Sequence, residues 1–219
     1  MLLRNLIGGG MIYIVSQENR PRFYHLLTEM HRQRKQVFID RLKWRLEERA
    51  GLEIDAYDSD EALYLIEAGA PTSNVRMSAR LLPTVRPHLL SEQFADLCAE
   101  PPPAGPQVWE ATRFCPSPDT PSGLPRQQML GRMIAAIMET ALIFGIEQVT
   151  YVADAALAPM AQKVGWDVHA LGAPRGRGRD RIQAFAATID TAGLRRVRQA
   201  YALGGPLIRY APAEVARAA

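Results

Sequence analysis

The chain is 219 residues long, 47% hydrophobic and 22% charged, values that suit one globular domain with a sizeable core and exclude a disordered or fibrous chain. Its formal net charge of +3 marks no general polyanion binder, and its two cysteines, Cys98 and Cys115, are too few for a disulfide framework and lack zinc-ligand spacing. That usage implies a reduced, cytoplasmic location; the apolar run before Gly8 is too short for a secretory signal or a membrane span, so residues 1–10 read as a flexible leader and 11–219 as a single domain.

Residues 11–16 (MIYIVS) are β-rich and open the fold. Residues 20–38 read as a helix, with Phe23, Leu26, Leu27, Met30, Val37 and Phe38 at three- and four-residue intervals. A polar stretch to Asp60 follows. Residues 62–66 and 75–82 look like strands joined by the turn signal at 69–74, and Pro83 and Pro87 end the second. Residues 108–114 (VWEATRF) form another strand, followed by a Pro- and Ser-rich loop. The helix predicted over 127–144 is apolar nearly all round, which places it against a sheet. Strands at 147–152, 168–171, 182–189 and 206–210 complete the pattern, with a short helix at 159–164 and another at 192–202. This mixture gives a layered α/β fold with a mostly continuous sheet.

Charges that break the apolar pattern carry the functional signal. Arg34 lies four residues after Met30 and four before Phe38, on the stripe that forms the helix core. Arg80 sits inside an apolar strand, and Glu110 and Arg113 inside another. Each alone reads as a snorkelling side chain or a solvated strand face. Together they call for partners, because burying an unpaired ion costs several kcal/mol. Asp55 and Asp58 offer carboxylates: either a solvated, capping loop or one wall of a polar cavity. In the second case the acids would face an amine or sulfonium and the arginines a carboxylate, which suits a zwitterionic, amino-acid-like ligand. No serine-hydrolase elbow, zinc-protease helix or phosphate loop is present, and the four histidines have no metal-ligand spacing.

These residues fall into a familiar order: Arg34, Phe38 and Trp44 in RKQVFIDRLKW, Asp55 and Asp58 in EIDAYD, Arg80 in ARLLPT, Phe94 in LLSEQF, and Glu110 with Arg113 in WEATRF. In this, residues 11–189 resemble the LuxI-type acyl-homoserine-lactone synthases of bacterial quorum sensing. The resemblance implies a three-layer α/β/α sandwich related to the N-acetyltransferases, its mixed central sheet opened by a V-shaped gap between two parallel strands. It also implies an acyltransferase that joins an acyl group from acyl-carrier protein or acyl-CoA to the amine of S-adenosylmethionine, closes the lactone and releases methylthioadenosine. S-adenosylmethionine is then a substrate, and no metal or other cofactor is expected.

On that resemblance Arg34, Phe38, Trp44, Asp55, Asp58 and Arg80 form the S-adenosylmethionine pocket. Glu110 is the general base, directly or through a water, Thr112 or strand backbone groups polarise the thioester carbonyl, and Arg113 is a structural ion-pair partner. Met129, Met133, Ile137, Tyr151 and Ala153 are the candidates for the acyl pocket. Lys163, Arg175, Arg177, Arg179 and Arg181 are those for donor docking. Thr112 stands where the family usually has Ser, and the 158–164 segment carries only Lys163 where the family is basic. The acetyltransferase Q-x-x-G-x-[GA] loop is not recognisable in PRQQMLGRM, which argues against the alternative, an ordinary acetyl-CoA enzyme acting on another amine. The arginine-rich C-terminal third has no interleaved aromatics, so neither a nucleic acid nor a membrane is an expected partner.

Overall fold

The computed structural model describes residues 10–120, 124–155, 166–176 and 181–212. The flexible leader, the 159–164 helix with Lys163, and Arg177 and Arg179 therefore lie outside the described residues, apart from Gly10. Ten strands are described: β1 (Met11–Val15), β2 (Glu48–Arg49), β3 (Leu52–Glu53), β4 (Leu63–Ala68), β5 (Val75–Pro83), β6 (Val108–Pro116), β7 (Gln148–Asp154), β8 (Val168–Ala170), β9 (Ile182–Thr188) and β10 (Ile208–Tyr210). The helices are α1 (Tyr24–Arg34), α2 (Leu89–Gln93), α3 (Leu124–Ile143) and α4 (Thr191–Ala200).

Eight strands join one mixed sheet in the order β10-β1-β4-β5-β6-β7-β9-β8, while β2 and β3 form a separate ribbon. Pairing is parallel for β1–β10 and β6–β7 and antiparallel elsewhere. The alternation of strand side chains divides the core. Ile12, Ile14, Leu63 and Leu65 pack with Met133, Ala136 and Ile137 of α3 on one face. Tyr13, Val15, Tyr64 and Ile66 pack with Leu26 and Met30 of α1 on the other. Leu90 of α2 covers Ala184 of β9 on the same side as α1. Helices thus cover both faces in three layers.

The strand that follows the long helix runs to Asp154, two residues beyond the sequence expectation. The helix expected over 20–38 is instead three segments. A 3-10 turn over Gln17–Phe23 accommodates Pro21, α1 follows, and Lys35–Arg41 widens into a π turn in which the Leu42 N–H donates to the Val37 carbonyl at 3.0 Å. Wide turns of this kind concentrate at functional sites.

The feature that positions the site is a failure of pairing. β6 and β7 are in register only at Val108–Gln148, Trp109–Val149 and Glu110–Thr150. Beyond that point β6 stays with β5 as far as Pro116, and β7 stays with β9 as far as Asp154. The two parallel strands therefore diverge into a V. On β6 the divergence coincides with Arg113 at a positive φ of 52° and with a register shift against β5.

Candidate active site

A cavity of about 560 Å³ occupies the V. Ala111, Thr112, Arg113 and Phe114 line it from β6, and Val149, Tyr151, Val152, Ala153 and Asp154 from β7. On the α1 side it meets Val37, Phe38, Arg41, Leu42 and Trp44, and on the α3 side Arg126, Leu130, Ile134 and Ile137. The π turn turns Phe38 and Arg41 into this space. Phe38 and Trp44 stack with centroids 5.0 Å apart and planes 6° from parallel, and the Arg113 guanidinium lies 5.7 Å from the Phe38 centroid.

Behind the α1-side wall the expected charges converge, but on one another. Arg34 holds Asp58 through two bonds, at 2.8 and 2.9 Å, and its Nε donates to Glu53. Arg80 grips Asp55 at 2.6 and 3.0 Å and reaches Asp58 at 2.7 Å. Arg113 bridges Glu53 at 3.1 Å and Asp55 at 2.6 Å. Three guanidiniums face three carboxylates, so the formal charges cancel. Arg34, Arg80 and Glu53 are fully buried. Although burial opposes it, the Arg34 and Arg80 guanidiniums hold the Asp58 carboxyl far below its usual range. Burial likewise opposes the charge on Arg34, and Asp58 and Glu53 outweigh it, so Arg34 stays ionised.

Of the residues expected to contact a sulfonium amino acid, Phe38 and Trp44 line the cavity; Arg34, Asp55, Asp58 and Arg80 do not. The physical reason is mutual saturation: each guanidinium finds its carboxylates within the protein, leaving no free fork for a ligand. Glu53 was missed in the sequence, where it is one acid in an acidic run. The signal that could have found it is the third arginine, which two aspartates leave unbalanced.

The Glu110 carboxylate does not open onto the cavity either. It is fully buried, and its two oxygens accept the Leu89 and Leu90 N–H groups at 2.8 Å each, at the start of α2. Burial pushes this carboxyl up to about 7, against those two hydrogen bonds and the nearby Arg80 and Arg113. Thr112 does line the cavity, and its Oγ1 accepts from Arg80 Nε at 3.0 Å. With the oxygen so engaged, the hydroxyl proton is free to donate elsewhere.

Ile137, Tyr151 and Ala153 also face the cavity. Met129 and Met133 do not: Met133 is fully buried in the core shared with the sheet, and Met129 packs against that core with its sulfur 4.0 Å from Thr120 Oγ1. Of the arginines considered for docking, Arg175 is exposed and paired with Asp96, and Arg181 is exposed. Among the described residues no group of three His, Cys, Asp or Glu side chains could hold a metal, and no helix is long and apolar enough to cross a membrane.

Residues 19–197 match the family model described as autoinducer synthase. An acyl-homoserine-lactone synthase of Ralstonia solanacearum is 32% identical over 188 residues, covering 80% of this chain and 89% of the relative. An isovaleryl-homoserine lactone synthase of Bradyrhizobium diazoefficiens is 31% identical over 182 residues, covering 82% and 80%. Among solved structures, BjaI, described as a CoA-dependent acyl-homoserine lactone synthase with SAM and isopentyl-CoA, superposes with a TM-score of 0.84 at 26% identity, over 95% of this chain and 96% of that one. The chain belongs to the autoinducer synthase family.

Proposed function

We propose that the chain is an acyl-homoserine-lactone synthase, acylating the amine of S-adenosylmethionine and then closing the lactone. The observation that carries this reading is the cavity through the sheet. A cleft that passes between two parallel strands lets an amine donor and an acyl thioester meet from opposite faces. On the α1 side the Phe38–Trp44 stack offers an aromatic surface suited to a sulfonium; on the α3 side the walls are mostly apolar and suit an acyl chain.

In the first step the amine nitrogen attacks the thioester carbonyl, the carbon–sulfur bond breaks, and the thiol leaves with a proton. In the second a carboxylate oxygen of the same substrate attacks its γ-carbon, and the sulfonium carbon–sulfur bond breaks. Methylthioadenosine departs with the electron pair. The positive sulfur makes this leaving group a good one, so the protein's contribution is to fold the chain onto itself. Thr112 donates its free hydroxyl proton towards the developing oxyanion. A free α-amino group has a pKa of about 8, so only modest help is needed to present it uncharged. Glu110 supplies that help through an intervening water, since its own oxygens are held by α2. Arg34, Arg80 and Arg113, with Glu53, Asp55 and Asp58, act as a rigid electroneutral wall that fixes Thr112.

The acyl donor is a thioester of a phosphopantetheine arm, on coenzyme A or on acyl-carrier protein; the likeness to BjaI favours the former. Its carrier end docks near the exposed Arg175 and Arg181. Both donors belong to the cytoplasm, where we place the reaction, and it is written with S-adenosylmethionine as substrate and without a cofactor. Purified protein given S-adenosylmethionine and a panel of acyl thioesters is expected to release methylthioadenosine and an N-acyl lactone in equal amounts. Consumption of acetyl-CoA on another amine, with no methylthioadenosine, would replace this reading with the simple acetyltransferase one.

A further inference from the structure

α1 buries the side chains of Leu26, Met30, Gln33 and Arg34. The carboxylates account for Arg34, but Gln33, three residues beyond Met30 on the same stripe, lies outside that network. An apolar residue would fill its place at less cost, since a buried amide must find a partner. The partner is on β6: Gln33 Nε2 donates to the Cys115 carbonyl at 2.9 Å, with the Cys115 sulfur 3.9 Å away. Cys115 stands where β6 is least supported. Beyond Glu110 the strand has lost β7. It also slips against β5: Ser78 faces Cys115 and Arg80 faces Thr112, so Arg113 and Phe114 together oppose Ala79. A bulge of this kind bends its strand, re-aims side chains and disrupts the ladder locally. Here the affected residues are cavity walls: Thr112, Arg113 and Phe114 before Cys115, Pro116 and Ser117 after it. Cys115 itself is fully buried. The tie to Gln33 therefore reaches the wall from behind. Its other end is fixed, because the next residue, Arg34, is locked by Glu53 and Asp58.

We propose that Gln33 is a positioning residue for acyl transfer: through the Cys115 carbonyl it fixes the bulged part of β6, and with it the alignment of Thr112 and Phe114 on the thioester. The proposal rests on the reading of the V as the site of acyl transfer. Gln33 does not line the cavity, so it acts through β6 and not on the substrate. Geometry alone is enough to matter, because misplacement by about 1 Å at a reacting centre costs on the order of a hundredfold in rate.

Purified wild type, Gln33→Leu and Gln33→Glu are given S-adenosylmethionine and a panel of acyl thioesters on coenzyme A and on acyl-carrier protein, well below the melting temperature of each protein. Methylthioadenosine release is followed with the thioester that the wild type uses fastest. Gln33→Leu keeps the bulk and removes the amide, and its kcat is expected to fall about ten- to a hundredfold. KM for S-adenosylmethionine should stay within about twofold, the pattern of an interaction felt only in the transition state. Gln33→Glu carries a titrating replacement. Protonated, its carboxyl donates to the Cys115 carbonyl as the amide does; ionised, it can only accept. Its kcat relative to wild type is expected to rise several-fold from pH 8 to pH 6, a ratio in which the titration of Glu110 cancels. Wild-type kcat in Gln33→Leu, whatever its melting temperature, or a KM for S-adenosylmethionine that rises in step with the loss of kcat, would reduce Gln33 to a packing residue and overturn the proposal. If Gln33→Leu does not fold, Gln33→Glu decides alone, and a ratio to wild type that is flat with pH overturns it. No methylthioadenosine from the wild type with any thioester would instead remove the synthase reading, and the proposal with it.

Discussion

Removing Glu53 from the buried network leaves three guanidiniums facing two carboxylates in a largely buried region. Glu53→Gln is expected to lower unfolding free energy by about 3–5 kcal/mol in urea titration, the range for breaking a buried pair by deleting one partner. Asp60→Asn, which breaks the pair between Arg20 and the largely exposed Asp60, should cost about 1 kcal/mol or less. Equal losses would show that the network is not behaving as a buried one. Glu110 gives a pH test. Its carboxyl sits near 7 in the folded chain, raised by burial from an ordinary 4.5, so the folded state binds the extra proton between those values. Its contribution is complete below about 4.5 and is lost as pH rises through about 7, a change of about 3 kcal/mol. Glu110→Gln does not titrate, so its melting temperature relative to wild type should rise between pH 5 and pH 8. If Glu110 also relays the amine proton, the same variant loses about a hundredfold in turnover and the limb of the pH–rate profile near 7 disappears. A cap without that role would change stability alone. Arg34 and Arg80 were legible because they violate an apolar pattern. Glu53 violates none, and the role of Glu110 as cap to α2 could not be read, because five residues of helix leave too little periodicity to see.

The long elements were legible and the short ones were not, for the same reason. α3 and the sheet strands carry enough apolar residues to show a period. The β2–β3 ribbon and α2 are held by tertiary contacts instead: His31 Nδ1 on the Glu53 carbonyl at 2.8 Å, and Glu110 on the α2 amides. The π turn was invisible in principle, since Phe38 is four residues from Arg34 whether the turn is wide or regular. Its consequence can be measured at Trp44, half exposed and stacked on Phe38. Trp44→Ala is expected to raise KM for S-adenosylmethionine about tenfold, the scale of a lost cation–π contact, with kcat and melting temperature little changed. An unchanged KM would remove the aromatic pair from the substrate site. On the other face Gly131 lets α3 approach α4: a Cβ there would meet the Tyr201 ring at 2.2–2.5 Å. Gly131→Ala should cost about 1–3 kcal/mol as overpacking, and much less in a Tyr201→Ala background. Additive costs would mean that the ring is not what the glycine accommodates.

At the scale of the molecule the gap divides the sheet into β10-β1-β4-β5-β6 and β7-β9-β8, joined within the sheet by three registered residue pairs. That three-layer, acetyltransferase-related architecture was implied by family resemblance; the alternation of strands and helices alone supplied only a layered α/β class, because periodicity says which face is buried and not where two strands part. The far edge is tied more firmly. The Asn19 amide donates to the Ile14 and Ala211 carbonyls at 3.0 and 2.9 Å, and Glu139 accepts the Leu207 and Ile208 amides at 2.9 and 3.3 Å. A ligand seated in the V therefore acts mainly as a bridge between the two halves. Methylthioadenosine at one hundred times its dissociation constant should stabilise the fold by about 2.7 kcal/mol. In hydrogen exchange the gain should be uneven: amides of residues 111–114 and 151–154 that face the gap should slow most, being the ones that lack a strand partner, while β1 and β10 change little. Equal slowing across the sheet would indicate that ligand stabilises the chain only globally, and that the gap is not where it binds.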